Sequence, residues 1–381
     1  MTAELVAEPL VVQVYLGPRS YDILVVTRMT AEIARLVEPW MERLSDGKRQ
    51  VGRALIVTDD NVAEPHASAV TQSLTAAGWD CRQIAVTPGE TSKSLETMSR
   101  VYDELVDMKA DRHTVIVAVG GGVVGDAAGF AAATYARGVP FIQVPTTLLA
   151  QDDSSVGGKV GINPPRAKNL IGACHQPLGV RSDTAPLETL PEREYRSGLA
   201  EVVKYGMILD EKFFAWLEAN VAALNARSPE ALRSVVARSC RLKADVVEQD
   251  EYERTGLRAV LNYGHTFGHA YEALCGYGVL LHGEAVAIGM QHAAELSVRL
   301  GRIDRSIADR QTVLLEGLHL PTRLPEGTSL SVDEVLATMM LDKKSRGGKL
   351  RLVLPTRLGH VELVDDVSET SVRELLTDVL A

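Results

Sequence analysis

No CxxC pair occurs in this chain. Its four cysteines, Cys81, Cys174, Cys240 and Cys275, are scattered, which argues against a zinc ribbon or a redox motif and suits a reduced, cytosolic protein. Positive charge is in deficit. Lys and Arg number 40 against 50 Asp and Glu, for a net charge of −10. This balance argues against nucleic acid and anionic membrane as main partners, although a local basic pocket can still take an anionic small molecule. No apolar run reaches the roughly 20 residues that span a bilayer. The opening stretch, MTAELVAEPLVVQVYLG, has no basic segment followed by an apolar core, so no signal peptide is expected and the protein is expected to be cytoplasmic. Internal repeats, low-complexity tracts and long linkers are also missing.

What is present is enough chain for two cores. At 381 residues the sequence exceeds one ordinary domain, and its 46% apolar and 24% charged content is that of a folded soluble protein. Up to about residue 185 the pattern alternates. Residues 11–16 and 21–26 flank Gly17-Pro18 and predict a hairpin. Strand-like runs follow at 54–58, 81–86, 114–119 and 141–144, interleaved with helical spacing at 29–44, 62–77, 92–108 and 122–135. That alternation predicts a Rossmann-like α/β domain over 1–185, with a mostly parallel sheet covered on both faces. Beyond it, 191–209, 211–224, 229–249, 257–275, 283–300, 306–317 and 331–341 read as helices, with a short β run at 350–354. An all-α domain over 186–381 is expected, with a ligand in the cleft between the two.

Residues 115–119 run into Gly120-Gly121-Gly122-Val123-Val124-Gly125-Asp126, and a helix follows. Glycines let backbone N–H groups approach an anion, and a helix start adds positive potential. The loop follows a late strand and no ribose acid stands about 20 residues on, so it is not an ordinary dinucleotide fingerprint. A tight turn against the sheet is the alternative. Asp59 and Asn61, after an earlier strand, are candidate ribose or adenine contacts or a helix cap. The stretch 145–172 gathers Thr146, Thr147, Asp153, Gly157, Gly158, Lys159, Lys168 and Asn169. Cations among glycines suit a phosphate or a polyhydroxylated sugar.

Three of the nine histidines cluster in the last third of the chain. His265 and His269 stand at i and i+4, one helix face able to grip a divalent ion. His282-Gly283-Glu284 follows a glycine-containing turn. The carboxylate candidate is Glu201, three residues before Lys204, so both can face one cleft. One Glu and two His would leave a Zn²⁺-type ion with open positions, the catalytic rather than the structural arrangement.

Seven blocks carry a resemblance. VGGGVVGDAAGFAAATYARG, VPTTLLAQDDSSVGGK, KNLIGACHQP, SGLAEVVKYG, LNYGHTFGHA, HGEAV and LDKKSRGGKLRLVLP, in order from about residue 50 to 355, resemble the dehydroquinate synthase family of sugar-phosphate cyclases. The resemblance implies the fold of that family, a carbon–oxygen lyase acting on a phosphate, NAD, and Zn²⁺ or Co²⁺. It implies Glu201, His265 and His282 as metal ligands, which leaves His269 for the substrate phosphate and a proton relay. Lys159, Asn169, Asn262 and one of Lys343 and Lys344 resemble further phosphate contacts. Asp153, Lys204, Lys243 and Arg258 resemble residues holding ring hydroxyls and carboxylate. Asp59, Asn61, Glu90, Lys93, Gly121, Gly122, Asp126, Thr146, Thr147, Lys168 and Thr189 resemble the NAD contacts. Arg137 resembles an arginine reaching into the partner's site of a homodimer.

The implied reaction is that of the shikimate pathway. It converts 3-deoxy-D-arabino-heptulosonate 7-phosphate to 3-dehydroquinate and phosphate by transient oxidation, elimination, re-reduction and aldol closure. Aminodehydroquinate synthases and cyclases making an inosose or valiolone share most of these residues. Metal-dependent alcohol and glycerol dehydrogenases share the glycine loop, the Pro-Thr-Thr segment and the histidine helix, but not the EVVK helix or the lysine set. The sequence departs from the family pattern at Asp152, Pro164-Pro165-Arg166, Cys174-His175 and Arg181-Ser182.

Overall fold

A computed structural model of the chain describes residues 8–44, 52–164, 169–276, 278–341 and 350–380. Lys168, Lys343 and Lys344 therefore lie outside the described residues. The chain divides into two compact units, one of Met1–Leu190 with Leu232–Tyr252 and one of Pro191–Ala231 with Glu253–Ala381. The boundary expected after residue 185 and the observed one after Leu190 differ by a short turn. The larger difference is the segment 232–252, which sequence order assigned to the helical half and which clusters with the first unit.

The first unit is built on nine strands: β1 (Leu10–Val14), β2 (Tyr21–Val26), β3 (Arg53–Asp59), β4 (Asp80–Val86), β5 (Val115–Gly120), β6 (Phe141–Pro145), β7 (Lys159–Ile162), β8 (Ile171–Cys174) and β9 (Gly179–Asp183). Seven of them form one sheet in the order β1-β2-β9-β6-β5-β3-β4. β1 and β2 are the expected antiparallel hairpin; every other pairing in that sheet is parallel. Helices α1 (Ile33–Leu44), α2 (Ser68–Ala76), α3 (Leu95–Asp107) and α4 (Gly122–Thr134) connect the strands.

The period of two in β3 and β5 explains the layering. Leu55, Val57, Ile116 and Ala118 pack with Met98, Val101 and Leu105 of α3 and with Ala127 and Ala131 of α4. The alternate residues Ala54, Ile56, Val115 and Val117 pack with Ile33 and Val37 of α1 and with Val70 and Leu74 of α2. A sheet buried on both faces needs apolar residues at every position, and these strands read as continuous apolar runs for that reason.

Three strands were not legible. β7 and β8 pair antiparallel in and just beyond the polar stretch 145–172, for which no strand was predicted. β9 enters the middle of the sheet, between β2 and β6, although it contains Arg181 and Asp183. Both side chains are buried, and Arg181 Nη2 donates to Asp183 Oδ2 at 2.8 Å. Asp183 also accepts from the backbone N–H groups of Arg28, Met29 and Ala185 and from the Thr30 hydroxyl, at 2.8–3.0 Å. Burial alone would raise the Asp183 pKa, but Arg181 and these donors hold it below the usual carboxylate range. One carboxylate thus collects a buried cation and the turn after β2.

The second unit is mostly helical: α5 (Glu192–Leu209), α6 (Glu211–Ala219), α7 (Val221–Asn225), then, after α8 (Pro229–Gln249) has passed into the first unit, α9 (His265–Cys275), α10 (His282–Arg299), α11 (Arg305–Gly317), α12 (Val332–Leu341) and α13 (Glu369–Val379). The helix predicted over 257–275 is broken. Leu257–Asn262 is a 3-10 turn, and Gly264, with φ of 79°, starts α9 afresh. The β run predicted at 350–354 is the start of β10 (Leu350–Arg357), which pairs antiparallel with β11 (His360–Val367). The second strand was missed because its burial does not follow a clean alternation.

Asp183→Ala should lower the stability of the first unit by about 3–5 kcal/mol, because it strands a buried guanidinium and four donors. Urea denaturation followed by tryptophan fluorescence measures it. A loss below about 1 kcal/mol would show that this knot is dispensable.

Candidate active site

In the first unit the carboxyl ends of β3, β5 and β6 lie side by side. Ala118 pairs with Val57, and Gly120 with Pro145. The chain leaves β3 outward to β4 and returns to β5 on its other side, so the order of strands reverses between β3 and β5. Nucleotides bind in doubly wound sheets at such a reversal, outside the carboxyl ends of the strands. Asp59 and Asn61 follow β3, Gly121 and Gly122 open α4, and Thr146 and Thr147 follow β6.

The loops there are stitched together. Asp59 Oδ1 accepts from Asn61 N at 2.9 Å, a turn at the end of β3. The helical turn that follows begins after Val62 without a side-chain cap, so Asp59 is not the helix cap that the sequence left as an alternative. Thr146 N donates to Gly120 O at 3.0 Å, and a Cβ on Gly121 would stand 3.2 Å from Thr147 Cγ2. Glycine is what lets these two backbones come close.

Two lysine clusters flank this edge within the unit. Lys93 Nζ, buried after β4, lies 2.7 Å from Asp126 Oδ2 on α4 and 3.4 Å from Glu90 Oε1. It also contacts Asn169 Oδ1. Asn163 joins them, donating to Glu90 at 2.8 Å and accepting from Asn169 N at 2.7 Å. Burial raises the Asp126 pKa, with Lys93 opposing it. Lys243, on α8, donates to Asp153 O at 2.8 Å and to Asp153 Oδ1 at 2.9 Å. Lys159 is exposed at the start of β7. Arg137 is exposed in a turn where Ala136, Arg137 and Gly138 all have positive φ, at 46°, 67° and 117°. Thr189 closes the turn after Ala185–Glu188 and donates to Pro186 O at 3.3 Å.

In the second unit three helices converge. Glycine contacts set their spacing. A Cβ on Gly283, at the start of α10, would collide with the Ser197 carbonyl of α5, and Gly283 N donates to Ser197 Oγ at 3.0 Å. A Cβ on Gly289 would collide with the Gly264 carbonyl, and one on Gly268 would stand 2.8 Å from Ala285 O. Gly283 neighbours His282, Gly264 neighbours His265, and Ser197 stands one turn before Glu201. The close approaches therefore bring those three side chains together.

The result is one compact donor set. His265 Nε2 and His282 Nε2 each lie 3.6 Å from Glu201 Oε1, and the three ligand atoms fall within 4.8 Å of one another. Two ligands bound tetrahedrally at Zn²⁺ distances are roughly 3.3–3.5 Å apart, so one carboxylate and two imidazoles at this spacing fit such an ion. Among the described residues this is the one group of its kind. His269 falls outside it, with its ring 5.4 Å from that of His265 and 6.1 Å from that of His282.

The outer partners are defined too. His265 Nδ1 stands 3.1 Å from Tyr263 O, and donation there puts the ring's lone pair on Nε2. Tyr263 is itself anchored, its hydroxyl 3.1 Å from Met290 O and 2.8 Å from Gln311 Oε1. Burial disfavours charge on His282, but the Glu201 and Glu272 carboxylates beside it outweigh burial and push its pKa up to about 9. Lys204 Nζ contacts Glu201 Oε2, a buried cation facing a buried carboxylate. Arg258 is buried in the 3-10 turn that ends at Asn262. Glu284, the carboxylate nearest to His282 in sequence, turns away: it accepts from Leu281 N at 2.8 Å and from Arg193 at 2.7 Å.

Models for the N-terminal and C-terminal parts of 3-dehydroquinate synthase match residues 83–197 and 198–345. A 3-dehydroquinate synthase of Desulforamulus reducens is 48% identical over 96% of this chain and 99% of its own. The chain belongs to the 3-dehydroquinate synthase family. Two solved structures are similar. A 2-epi-5-epi-valiolone synthase from Streptomyces hygroscopicus with NAD⁺ and Zn²⁺ bound is 28% identical, with a TM-score of 0.83 over 96% of this chain and 98% of that one. A 2-deoxy-scyllo-inosose synthase complexed with carbaglucose-6-phosphate, NAD⁺ and Co²⁺ is 26% identical, with a TM-score of 0.86 over 97% and 100%.

Three residues that touch these clusters, Asn163, Tyr263 and Glu272, were not singled out from the sequence. The first two act through an amide and a backbone carbonyl, which leave no signature. Glu272 had one, standing seven residues after His265 on the same helix face.

Gly283→Ala should weaken Zn²⁺ binding by roughly 10–100-fold, the range for disturbed ligand orientation, because α10 must move off α5. Competition with a chromogenic chelator reads it; unchanged affinity would show that the contact does not position His282.

A second expectation concerns acid. Burial holds the His292 pKa down to about 4, against 6.5 as the ordinary value, and the neutral ring shares a hydrogen bond with Tyr271 OH, 2.7 Å from Nδ1. Between those pH values the unfolded chain binds more protons than the folded one, so stability is full above about 6.5 and declines as pH falls toward 4. The slope is at most about 1.4 kcal/mol per pH unit. His292→Gln should flatten the dependence of the melting temperature on pH in this window. An unchanged slope would assign the acid sensitivity to other groups.

Proposed function

We propose that the chain converts 3-deoxy-D-arabino-heptulosonate 7-phosphate to 3-dehydroquinate and phosphate, as a metal- and NAD-dependent cyclase. The observation that carries this reading is the Glu201–His265–His282 donor set in a chain of this family. The edge formed by Asp59, Asn61, Gly121, Gly122, Thr146 and Thr147 is assigned to NAD, with Glu90, Lys93, Asp126, Lys168 and Thr189 completing its contacts. Bound, the two groups supply a reversible hydride carrier and a Lewis acid, Zn²⁺ or Co²⁺, for a substrate hydroxyl.

The chain's own residues do the rest. Lys204 orients Glu201 and keeps a positive charge beside it. Lys243 holds the Asp153 carboxylate, and both are assigned to the ring hydroxyls and carboxylate of the substrate. Arg258 is placed to pair with the substrate carboxylate, bidentate in the way guanidinium favours. Lys159, Asn169, Asn262, His269 and one of Lys343 and Lys344 are assigned to the phosphate. Several cations on a leaving phosphate stabilise its departure, and the departing group can itself take the proton, which suits a site without a dedicated base. The exposed left-handed turn suits Arg137 to reach a second subunit, and we assign it to the partner's site of a cytoplasmic homodimer.

The test is stoichiometry. Purified protein with NAD⁺ and Zn²⁺ should release one phosphate per heptulosonate phosphate, form a product of the mass of 3-dehydroquinate, and accumulate no NADH. His265→Ala and His282→Ala should lose ion and activity together. NADH rising with turnover, without phosphate, would identify a dehydrogenase instead.

A further inference from the structure

His282 lies between two carboxylates. Its Nε2 stands 3.6 Å from Glu201 Oε1, and its Nδ1 stands 3.7 Å from Glu272 Oε2. Glu272 is on α9, seven residues after His265 and three after His269, so one helix face carries a ligand, a third imidazole and this carboxylate. The Glu272 side chain is 15% exposed, too enclosed for a surface pairing. A histidine that ligates through one nitrogen needs its other N–H held, and a carboxylate there fixes the tautomer and raises the basicity of the ligating nitrogen. His265 has a neutral backbone carbonyl in that place; His282 has an anion.

We propose that Glu272 is a positioning residue that holds His282 Nδ1–H and presents Nε2 to the divalent ion. This rests on Glu201, His265 and His282 being the metal ligands. Because Lys204 already offsets the charge of Glu201, Glu272 behind a ligand supplies a second negative charge beside the ion. At 3.7 Å the pair is an ionic contact rather than a tight hydrogen bond, so its effect lies in aiming the ring and in charge.

Ion-free protein is titrated with Zn²⁺ against a chromogenic chelator, and the Co²⁺-loaded form is examined by visible absorption. Glu272→Gln, close in shape and uncharged, should bind Zn²⁺ roughly 10–100-fold more weakly and shift the Co²⁺ bands, while the melting temperature of the ion-free protein stays put. A role in packing alone would move the melting temperature and leave the Co²⁺ bands of the loaded protein as they are. Glu272→Asp, which keeps the charge, should fall between the parent and Glu272→Gln, and serves if the latter does not fold. Affinity within twofold of the parent, or unshifted Co²⁺ bands, overturns the proposal. His265→Ala separates the two levels. If it also binds Zn²⁺ like the parent, the ligand set itself is wrong; if it loses the ion while Glu272→Gln does not, only the role of Glu272 fails.

Discussion

The chemistry of the second unit depends on how closely backbones can approach. A helix surface with ordinary side chains keeps its neighbour 8–10 Å away, axis to axis. At Gly283 against Ser197, and at Gly289 against Gly264, even a methyl group does not fit. These contacts stand next to, or one turn from, His282, His265 and Glu201. An imidazole reaches only a few ångströms from its Cα, so three ligands on three helices can meet at one point only if the helices nearly touch there. The buried Tyr263 hydroxyl and the Tyr271–His292 bond fasten the same helices further along. The donor set is therefore a consequence of packing, and its precision is that of the packing.

The edge of the first unit that we assign to NAD meets a different need with a different device. A dinucleotide is long and anionic, and needs backbone N–H groups and short side chains spread along an edge. Parallel strands whose order reverses between β3 and β5 open such an edge at their carboxyl ends. After β5 and β6 the residues are glycine and threonine, and the two loops bind one another: Thr146 N to Gly120 O, and Gly121 against Thr147.

Legibility followed periodicity and chemistry. β3 and β5 were readable because strands buried on both faces are continuous apolar runs, and the glycine loop because its context was strand, glycines, helix. The donor set was readable through residue type, and its exact membership only through family resemblance, since His265 and His269 have the better spacing while His265 and His282 have the better geometry. β9 was not readable, because an Arg-Ser-Asp run in the centre of a sheet contradicts every apolar pattern. It is tolerated because Asp183 neutralises Arg181 and caps the turn after β2 as well. The placement of 232–252 with the first unit was hidden for another reason: helical spacing says nothing about which core a helix joins. Cys240, whose thiol reaches Gln151 O at 3.1 Å, marks that choice only in three dimensions.

The charge distribution joins these observations. An overall charge of −10 would repel a phosphorylated acid, yet among the described residues Lys93, Lys204, Lys243 and Arg258 are all buried. Burying a cation costs several kcal/mol unless it is paired. Lys93 has Asp126, Lys204 has Glu201, and Lys243 has Asp153. Each pair is nearly neutral, so none is a general anion trap. An anion gains most where it brings hydroxyls that can satisfy the carboxylate half while its own charge meets the ammonium half. Simple phosphate offers only the second of these, and a neutral sugar only the first. A polyhydroxylated sugar acid carrying a phosphate offers both, so under the proposed assignment the paired Lys204 and Lys243 favour that ligand over either part of it alone.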